Sequence, residues 1–412
     1  MEYGLIGEKL GHSYSAILHG LLADYDYRLC PMPPENVATF MQKRDFCGIN
    51  VTIPYKKTVI PYLAEIGETA RRIGSVNTIV KRPDGSLYGD NTDAYGFTRM
   101  AESIGADFAG RKVLVLGSGG TSLTACDVVR QAGGTPVVIS RSGNTTYADL
   151  PSHIDAEYLV NTTPVGMYPN VFAAPVDLTL LPNLRGVLDV IYNPLRTRLM
   201  QQAHSLGIPC VSGLKMLVYQ AVRACELFTG KPVDVQRAQA AEMQLRAQSM
   251  NLVLVGMPGC GKTTIGQELA AISGREAVDT DALIAAEAGM TIPEIFEKEG
   301  EVGFRAREKA VIQREALIGG RILITGGGAV KDEENRLALR MNGYVAQIAR
   351  PVQMLATDGR PLSAGGLTAV EKLYQERAPL YAACADAAYA NETTSAQCAK
   401  AIWEGFDEAL RA

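Results

Sequence analysis

The sequence predicts an α/β protein whose sheets are built from strand, turn and helix units. Two segments indicate this, because in each a β-branched run stops at glycines and continues with helical periodicity. They are "KVLVLGSGGTSLTACDVVRQAGGTPVVIS" (112–140) and "NLVLVGMPGCGKTTIGQELAAIS" (251–273), and each should open a parallel-sheet domain. Short strands and helical stretches also alternate before them, which predicts a third lobe. The expected lobes are residues 1–100 with helices at about 213–248 packing back on them, residues 101–212, and residues 250–412.

Length and composition narrow the class of protein. The 412 residues are too many for one ordinary core, and 47% hydrophobic residues with 41 glycines are typical of soluble α/β proteins. A net charge of −4 leaves no basic surplus, so we expect neither nucleic acid nor a membrane as a partner. The sequence shows no signal peptide and no apolar run long enough to cross a bilayer, which predicts a cytoplasmic protein. The 8 cysteines form no C-x-x-C pair, so neither structural zinc nor disulfides are expected.

The turn "LGSGGTSL" matches part of a dinucleotide-binding fingerprint. Gly117 and Gly119 fit the first two glycines of G-x-G-x-x-G, and Ser122 replaces the third with another small residue. Such a turn brings backbone N–H groups close to a pyrophosphate at a helix N-terminus. The residues expected to contact it are Gly117, Ser118, Gly119 and Gly120. By itself the turn also fits an ordinary strand-to-helix connection.

The end of the next strand indicates which dinucleotide binds. An NAD enzyme normally has an acidic residue there for the ribose 2′-hydroxyl, whereas this sequence has Ser140, Arg141 and Ser142. A cation between two hydroxyls suits a 2′-phosphate, so we expect a Rossmann lobe that binds NADPH. Alternatively, Arg141 is a solvated loop charge.

Four polar clusters in the first lobe indicate a small ligand. They are "HSYS" (12–15), "GINVTIPYKK" (48–57), "GSVNTIV" (74–80) and "GDNTDAYGF" (89–97). Their hydroxyls, amides, lysine and aspartate suit a polyhydroxylated carboxylic acid whose carbonyl is reduced with proton transfer.

Together with "VNTTPVGM" (160–167), "DVIYNP" (189–194) and "GLKMLVYQA" (213–221), these clusters closely resemble shikimate dehydrogenase over about the first 245 residues. The resemblance implies that 3-dehydroshikimate is reduced to shikimate, with Lys56 and Asp93 as the catalytic pair. It implies that Ser13 and Ser15 hold the substrate carboxylate and that Met216 contacts the cofactor. The remaining contacts to carboxylate or ring hydroxyls are assigned to Thr52, Asn77, Tyr192 and Gln220. One departure from many relatives is Ala16, where they have proline.

The stretch "GMPGCGKT" satisfies G-x-x-x-x-G-K-[ST] and lies between an apolar strand and a helix, as a P-loop should. Its backbone N–H groups are expected to hold the phosphates of ATP, Lys262 to neutralise the β and γ oxygens, and Thr263 to bind Mg²⁺. The nucleotide-binding residues are predicted to be Gly256, Gly259, Cys260, Gly261, Lys262, Thr263 and Thr264. A chance match is the alternative.

Five further motifs follow: "DTD" (279–281), "GEVGFRAREK" (300–309), "ITGGGAV" (324–330), "DGRPLS" (358–363) and "QERAPLY" (375–381). With the P-loop they resemble shikimate kinase over about residues 250–412. The resemblance implies that Asp281 takes or orients the proton of the acceptor hydroxyl, that Asp279 lies near Mg²⁺, and that Arg360 reaches the phosphates from a lid. The acceptor itself is assigned to Arg305, Gly326, Gly327, Gly328 and Arg377. Alternatively, Arg305 or Arg307 is a helix-surface partner of Glu308.

The sequence thus predicts a bifunctional enzyme that makes shikimate and then phosphorylates its 3-hydroxyl. Two alternatives remain: a quinate/shikimate dehydrogenase fused to another small-metabolite kinase, or a metabolite sensor without catalysis. A homodimer is left open by the sequence.

Overall fold

The computed structural model of the chain describes residues 2–11, 14–355 and 366–411. The chain divides into two compact units, which are described separately. The first comprises Met1–Asn193 and Leu199–Glu242, and the second comprises Pro194–Arg198 and Met243–Ala412.

The boundary between the units lies within a helix, Val235–Ser249, and precedes the boundary expected near residues 249 and 250. The last turns of this helix belong to the second unit. The Arg275 guanidinium donates to the carbonyl oxygens of Ala247 and Met250, both at 2.7 Å. No local sequence signal marked this attachment, or the inclusion of Pro194–Arg198 in the second unit.

The first sheet of the first unit is mixed, with strand order β2-β1-β3-β5-β6-β4, because β5 runs antiparallel to both of its neighbours. Its strands are β1 (Tyr3–Gly7), β2 (Tyr27–Pro31), β3 (Gly48–Val51), β4 (Glu65–Ile66), β5 (Thr78–Lys81) and β6 (Leu87–Asp90). The helices of this part are α1 (Ser15–Leu22), α2 (Pro34–Lys43), α3 (Glu68–Ile73) and α4 (Asp93–Glu102). Ile6, Ile49 and Ile79 are fully buried at the centre of its core.

The second sheet is entirely parallel, in the order β11-β10-β9-β7-β8, as the sequence predicted for a Rossmann lobe. Its strands are β7 (Lys112–Leu116), β8 (Thr135–Ile139), β9 (Tyr158–Asn161), β10 (Gly186–Asp189) and β11 (Cys210–Ser212). The helices that follow are α5 (Gly120–Gln131), α6 (Arg198–Ser205), α7 (Leu214–Thr229) and α8 (Val235–Ser249). The central strands β7, β9 and β10 are mostly apolar and almost entirely buried, as is typical of a parallel sheet that has helices on both faces.

Helix α7 returns to the first lobe and packs against α1 and α4. The approach to α4 is close, since a Cβ at Gly96 would lie 2.4 Å from the carbonyl oxygen of Met216. A side chain at Gly96 would therefore separate two helices that both carry site residues.

The second unit contains a parallel sheet in the order β13-β14-β12-β15-β16. Its strands are β12 (Asn251–Val255), β13 (Ala277–Asp279), β14 (Ile322–Ile324), β15 (Gly343–Ala349) and β16 (Ala387–Ala390). Its helices are α9 (Lys262–Ser273), α10 (Thr280–Ala288), α11 (Ile292–Glu315, kinked at Gly300), α12 (Glu333–Met341), α13 (Gly366–Cys384) and α14 (Ser395–Arg411). Strand β12 is central and fully buried, and the P-loop joins it to α9.

None of the helices described for this chain has both the length and the apolar character needed to cross a membrane.

Candidate active sites

A cavity of about 470 Å³ in the first unit contains the predicted Lys56 and Asp93 pair. The Lys56 Nζ donates to Asp93 Oδ2 at 2.6 Å, and the two side chains are only 25% and 16% exposed. Asp93 is the first residue of α4, and its backbone N–H donates to Asn91 Oδ1 at 3.1 Å. The loop after β3 supplies Lys56, so two separate connections bring the ammonium and carboxylate together.

The buried amide of Asn77 supports the segment that carries Asp93. Asn77 is 3% exposed, and its Oδ1 accepts hydrogen bonds from the backbone N–H of Thr92 at 2.7 Å and from the Thr78 hydroxyl at 3.1 Å. The Asn77 Nδ2 donates to the Thr92 hydroxyl at 3.1 Å. Because Thr92 precedes Asp93, the Asn77 side chain fixes the start of α4 as well as lining the cavity.

The other predicted substrate residues of the described chain also line this cavity: Ser15, Thr52, Tyr192 and Gln220. Burial, together with the neighbouring Tyr14, raises the pKa of the Tyr192 phenol, so it remains a neutral hydrogen-bonding group. The two rings meet edge to face with centroids 5.9 Å apart. Ser13 lies outside the described residues.

Sequence reasoning missed several residues of this cavity, including Tyr14, Asn50 and Lys9. Tyr14 stands between the two serines of "HSYS", a position that could have suggested it. Asn50 lies within β3, and a position inside a strand gave no signal that it belongs to a site. Its Nδ2 donates to the Thr78 hydroxyl at 3.0 Å, and its Oδ1 accepts from the Tyr27 hydroxyl at 2.7 Å.

The predicted dinucleotide turn lies at the carboxyl ends of β7 and β8. Gly117 has φ of 102°, a conformation that favours glycine, and its N–H donates to the Ile139 carbonyl at 2.8 Å. A Cβ at Gly119 or Gly120 would meet nothing within 4 Å, so the backbone at the start of α5 is open to a ligand. No side chain caps this helix start, which leaves its first N–H groups for an anion.

The turn and the catalytic pair share one cavity, because Thr121 in the first turn of α5 and the predicted cofactor residue Met216 both line it. Beside the turn, Ser140 is buried, whereas Arg141 and Ser142 are exposed after β8. Exposed Ser118 belongs to the turn itself. The parallel pairing of β7 with β8 therefore brings both parts of the predicted NADPH site to the same sheet edge.

A cavity of about 530 Å³ in the second unit contains most of the predicted kinase residues. Lys262 is buried, and its Nζ donates to the carbonyl oxygens of Gly256 at 2.9 Å and Met257 at 3.0 Å. Gly259, Gly261 and Thr264 line the cavity directly.

Two predicted P-loop residues do not line this cavity. The side chain of Cys260 is only 1% exposed, so its backbone is the part that could meet a phosphate. Gly256 instead holds Lys262 through its carbonyl group.

Oxygen atoms beside the P-loop suit a magnesium ion. The Thr263 hydroxyl donates to Asp279 Oδ2 at 3.2 Å, while Asp279 Oδ1 caps α10 by accepting from the N–H groups of Asp281 and Ala282. The described part of the chain has no group of three or more acidic, histidine or cysteine side chains suited to a metal. Mg²⁺ in phosphate-transfer sites commonly uses one or two protein oxygens, with phosphates and water completing its shell, so Thr263 and Asp279 fit it.

The partly buried carboxylate of Asp281, the buried carboxylate of Glu308 and the guanidinium of Arg305 line this cavity together. Asp281 Oδ1 and Glu308 Oε1 are buried without a hydrogen-bond partner, and Arg305 donates to Glu308 Oε2 at 2.7 Å. Burial, reinforced by Asp279, raises the pKa of Asp281, although Lys262 and Arg305 oppose it.

Glu308 was missed as a site residue. Its pKa is raised by burial and by Asp281, against the lowering influence of Arg305 and Arg377. The Arg305 to Glu308 pairing allowed as an alternative does occur, but Arg305 also lines the cavity. Arg307 pairs with Glu299 and does not line it.

The glycines after β14 leave room for this cluster. A Cβ at Gly326 would lie 2.5 Å from Asp281 Oδ1, and one at Gly328 would lie within 2.6 Å of the Arg305 guanidinium carbon. Arg377 is 2% exposed and donates to the Gly327 carbonyl at 3.0 Å, while its Nε has no hydrogen-bond partner. The sequence did not predict the apolar wall formed by Ile292, Pro293, Phe296 and Phe304. Arg360 lies outside the described residues.

Three family models match this chain. They are the Shikimate dehydrogenase substrate binding domain over residues 5–79, the Shikimate 5'-dehydrogenase C-terminal domain over residues 213–241, and Shikimate kinase over residues 258–406. Of these three models, the kinase model covers the P-loop from Pro258 onward.

Relatives and solved structures resemble the dehydrogenase part. The Shikimate dehydrogenase (NADP(+)) of Clostridium perfringens (strain SM101 / Type A) is 36% identical over 254 residues, which are 56% of this chain and 93% of that protein. A chorismate mutase/shikimate 5-dehydrogenase fusion protein from Clostridium acetobutylicum aligns with a TM-score of 0.56 and 33% identity over 59% of this chain and 96% of that one. The shikimate 5-dehydrogenase of Thermus thermophilus, crystallised in complex with NADP(H) and shikimate, aligns with a TM-score of 0.54 and 29% identity over 59% of this chain and 99% of that one.

Proposed function

Because the chain belongs to the shikimate dehydrogenase family and also carries a shikimate kinase domain, we propose that it catalyses two successive reactions. The first unit reduces 3-dehydroshikimate to shikimate with NADPH. The second transfers the γ-phosphoryl group of ATP to the 3-hydroxyl of shikimate. The observation that carries the first assignment is the ion pair of Lys56 and Asp93 inside a polar cavity.

In the reduction, Lys56 acts as the general acid. When bound, NADPH supplies the hydride that adds to the substrate carbonyl carbon. As the carbonyl oxygen gains charge, the Lys56 ammonium gives it a proton. Asp93 orients that ammonium through their 2.6 Å hydrogen bond and accepts a hydrogen bond from a neighbouring substrate hydroxyl.

The substrate carboxylate is held by hydroxyl groups, with Ser15 contributing from the start of α1. Thr52, Asn77, Tyr192 and Gln220 surround the ring with amide and hydroxyl groups. We assign the preference for NADPH to Arg141, because its exposed guanidinium follows β8 between two serines where it can pair with a 2′-phosphate.

In the phosphorylation, Asp281 acts on the acceptor hydroxyl. Its carboxylate accepts the hydroxyl proton as the hydroxyl oxygen bonds to the γ-phosphorus and the bond to ADP breaks. Arg305 and Arg377 bind the acceptor carboxylate, and Gly326–Gly328 allow the ring to approach the backbone. The raised pKa of Asp281 brings its proton affinity closer to that of a useful base.

Lys262 neutralises phosphate charge once it exchanges the loop carbonyls of Gly256 and Met257 for phosphate oxygens. Thr263 and Asp279 would hold Mg²⁺, which neutralises phosphate charge when it is bound. The chain's own contribution is to align the acceptor hydroxyl on Asp281 and to exclude water with the wall around Phe296 and Phe304.

One coupled assay tests both activities. The intact chain receives 3-dehydroshikimate, NADPH and Mg-ATP, and mass spectrometry follows the products. Shikimate 3-phosphate should accumulate, and omission of ATP should leave shikimate instead. The proposal is wrong for the first unit if NADPH is not oxidised, and wrong for the second if supplied shikimate is not phosphorylated.

A further inference from the structure

Arg350 stands beside the P-loop but belongs to none of the motifs that identified the kinase site. It directly follows β15, whose Gln347 pairs with Val255 at the end of β12. The two strands remain adjacent beyond that point, since a Cβ at Gly256 would lie 2.6 Å from the carbonyl oxygen of Ile348. Arg350 is therefore on the β15 side of the first turn of the P-loop.

The Arg350 side chain opens onto space suited to a ligand. It lines the 530 Å³ cavity together with Lys262, and it also lines an adjoining cavity of about 280 Å³ with Met257 and Glu392. Among the residues that the structure describes, its Nε is buried without a hydrogen-bond partner. A buried guanidinium N–H without a partner is costly, so an anionic ligand that accepts a hydrogen bond from it would be stabilising.

The order of the strands indicates which anion this is. Acceptor residues follow β13 and β14, on one side of central β12: Asp281 follows the first strand and Gly326–Gly328 the second. Arg377 comes from α13 but reaches the same side, because it donates to the Gly327 carbonyl oxygen at 3.0 Å. Arg350 follows β15 on the opposite side, where the loop after β16 also touches the P-loop through Asn391, whose Nδ2 donates to the Cys260 carbonyl at 2.8 Å. The anion on this side is a phosphate of the nucleotide that the P-loop holds, and the acceptor carboxylate belongs to the other side.

We propose that Arg350 binds the phosphate chain of ATP from the β15 side, opposite the acceptor. This inference rests on the proposed kinase function. A guanidinium there supplies two parallel N–H donors to phosphate oxygens, whereas Lys262 supplies a point charge from the loop. The phosphate chain is thus held from two directions before transfer begins.

The test compares Arg350→Gln with Arg350→Lys in the intact chain. Binding of Mg-ATP, Mg-ADP and adenosine is measured by calorimetry without shikimate, and the melting temperature of each variant is recorded. A lost charge-assisted contact should weaken Mg-ATP and Mg-ADP binding about 10- to 100-fold in Arg350→Gln, with partial recovery in Arg350→Lys. Adenosine binding should change less than about twofold, because adenosine carries no phosphate. Arg411→Gln, at an exposed site on α14, is the matched control and should bind all three ligands normally.

Each outcome decides between supporting and rejecting the inference. Equal losses for ATP and adenosine would reject a phosphate contact, as would unchanged ATP binding. Shikimate binding is measured in a separate titration, and weaker shikimate binding with normal ATP binding would place Arg350 on the acceptor and also reject the inference. Because the binding experiment needs no turnover, it judges Arg350 even if the intact chain fails to phosphorylate shikimate, a failure that would instead reject the proposed kinase function.

Discussion

The two candidate sites accommodate the same proposed molecule by different chemistry. In the first unit, amides and hydroxyls already bond to one another around one ion pair, and Asn77 satisfies both ends of its amide. In the second unit, charged groups face one another with polar atoms left over, including Asp281 Oδ1, Glu308 Oε1 and Arg377 Nε. Among the described residues, the polar groups of the first site are largely paired with one another, whereas the second site retains polar atoms with which a ligand can form hydrogen bonds.

This difference follows from what each reaction requires. Carbonyl reduction needs one proton and close positioning, so a preformed Lys56 to Asp93 contact is sufficient. Phosphoryl transfer must balance several negative charges, so its site holds cations whose counter-charges arrive with ATP. We therefore expect substitutions in the first site to affect turnover most, and substitutions in the second to affect binding, stability and pH response as well.

Lys56→Ala should cause the largest loss on the dehydrogenase side. Removal of the general acid should lower NADPH oxidation at least ~10²-fold, because the developing alkoxide loses the proton donor that Asp93 holds in place. Shikimate phosphorylation by the same sample should remain normal. The neighbouring exposed Lys57 gives a matched control, and Lys57→Ala should retain full reduction. Comparable losses in the two variants would remove Lys56 from the mechanism.

Asp281→Asn should abolish the proton acceptor of the kinase and lower its turnover about 10²-fold or more, with reduction unaffected. The same change should raise the melting temperature of the second unit at neutral pH. Since the pKa of Asp281 is raised in the native state, its favourable contribution exists at low pH and is lost as pH rises, so its ionised form destabilises the fold.

Calorimetry on the intact chain measures this second effect. If Asp281→Asn lowers the melting temperature, the ionised Asp281 carboxylate does not destabilise the second unit, and the interpretation of the kinase site is wrong on this point. Unchanged turnover would separately exclude Asp281 as the proton acceptor.

The sequence could predict those features of the two units that form local patterns. Both nucleotide turns are local patterns, and the structure contains them as strand, glycine turn and helix: β7 with α5, and β12 with α9. The fold class was confirmed for this reason. The Lys56 and Asp93 pairing required the resemblance to a family, because the spacing of two loop residues does not reveal their contact.

Other features depend on packing between distant segments and left no local pattern. Glu308 looks like an ordinary helix residue until burial beside Asp281 raises its pKa. Arg350 follows a strand without any recognisable motif, and its position becomes visible only through the pairing of β15 with β12. The attachment of Pro194–Arg198 to the second unit is likewise a tertiary property.

Arg305→Ala should cost the kinase about 1.5–3 kcal/mol, or roughly 10- to 100-fold in kcat/KM, through loss of a charged partner for the acceptor carboxylate. Supplied with 3-dehydroshikimate, NADPH and Mg-ATP, this variant should accumulate shikimate. Arg307→Ala is the matched control, since Arg307 pairs with Glu299 outside the cavity.

A double variant distinguishes the loss of an acceptor contact from the effect of leaving the Glu308 carboxylate without its cation. Arg305→Ala leaves Glu308 buried without its cation, whereas Arg305→Ala combined with Glu308→Gln removes both charges. Recovery of normal phosphorylation in the double variant would show that Arg305 acts only by neutralising Glu308.

Arg141→Ala should have a smaller effect, because the guanidinium is exposed and solvent screens its contacts. We expect NADPH binding to weaken about tenfold and NADH binding to change little, which fluorescence titration of both cofactors can measure. NADH is the internal control, since it lacks the 2′-phosphate. Equal weakening of both cofactors would assign Arg141 a structural role and would leave the NADPH preference without a source.

The smallest effect concerns the pH response of the kinase. Because the pKa of Asp281 is raised, its carboxylate takes up a proton at a higher pH than an ordinary aspartate, and kcat/KM should fall correspondingly early as pH decreases. Asp279 raises this pKa and Arg305 lowers it, so Asp279→Asn should move the acid limb to lower pH and Arg305→Ala should move it to higher pH. The position of the limb is compared, since both variants also lose activity. If the limb moves in the same direction in both variants, it does not report the titration of the Asp281 carboxylate. The pH response of the kinase would then not arise from the charged groups around Asp281.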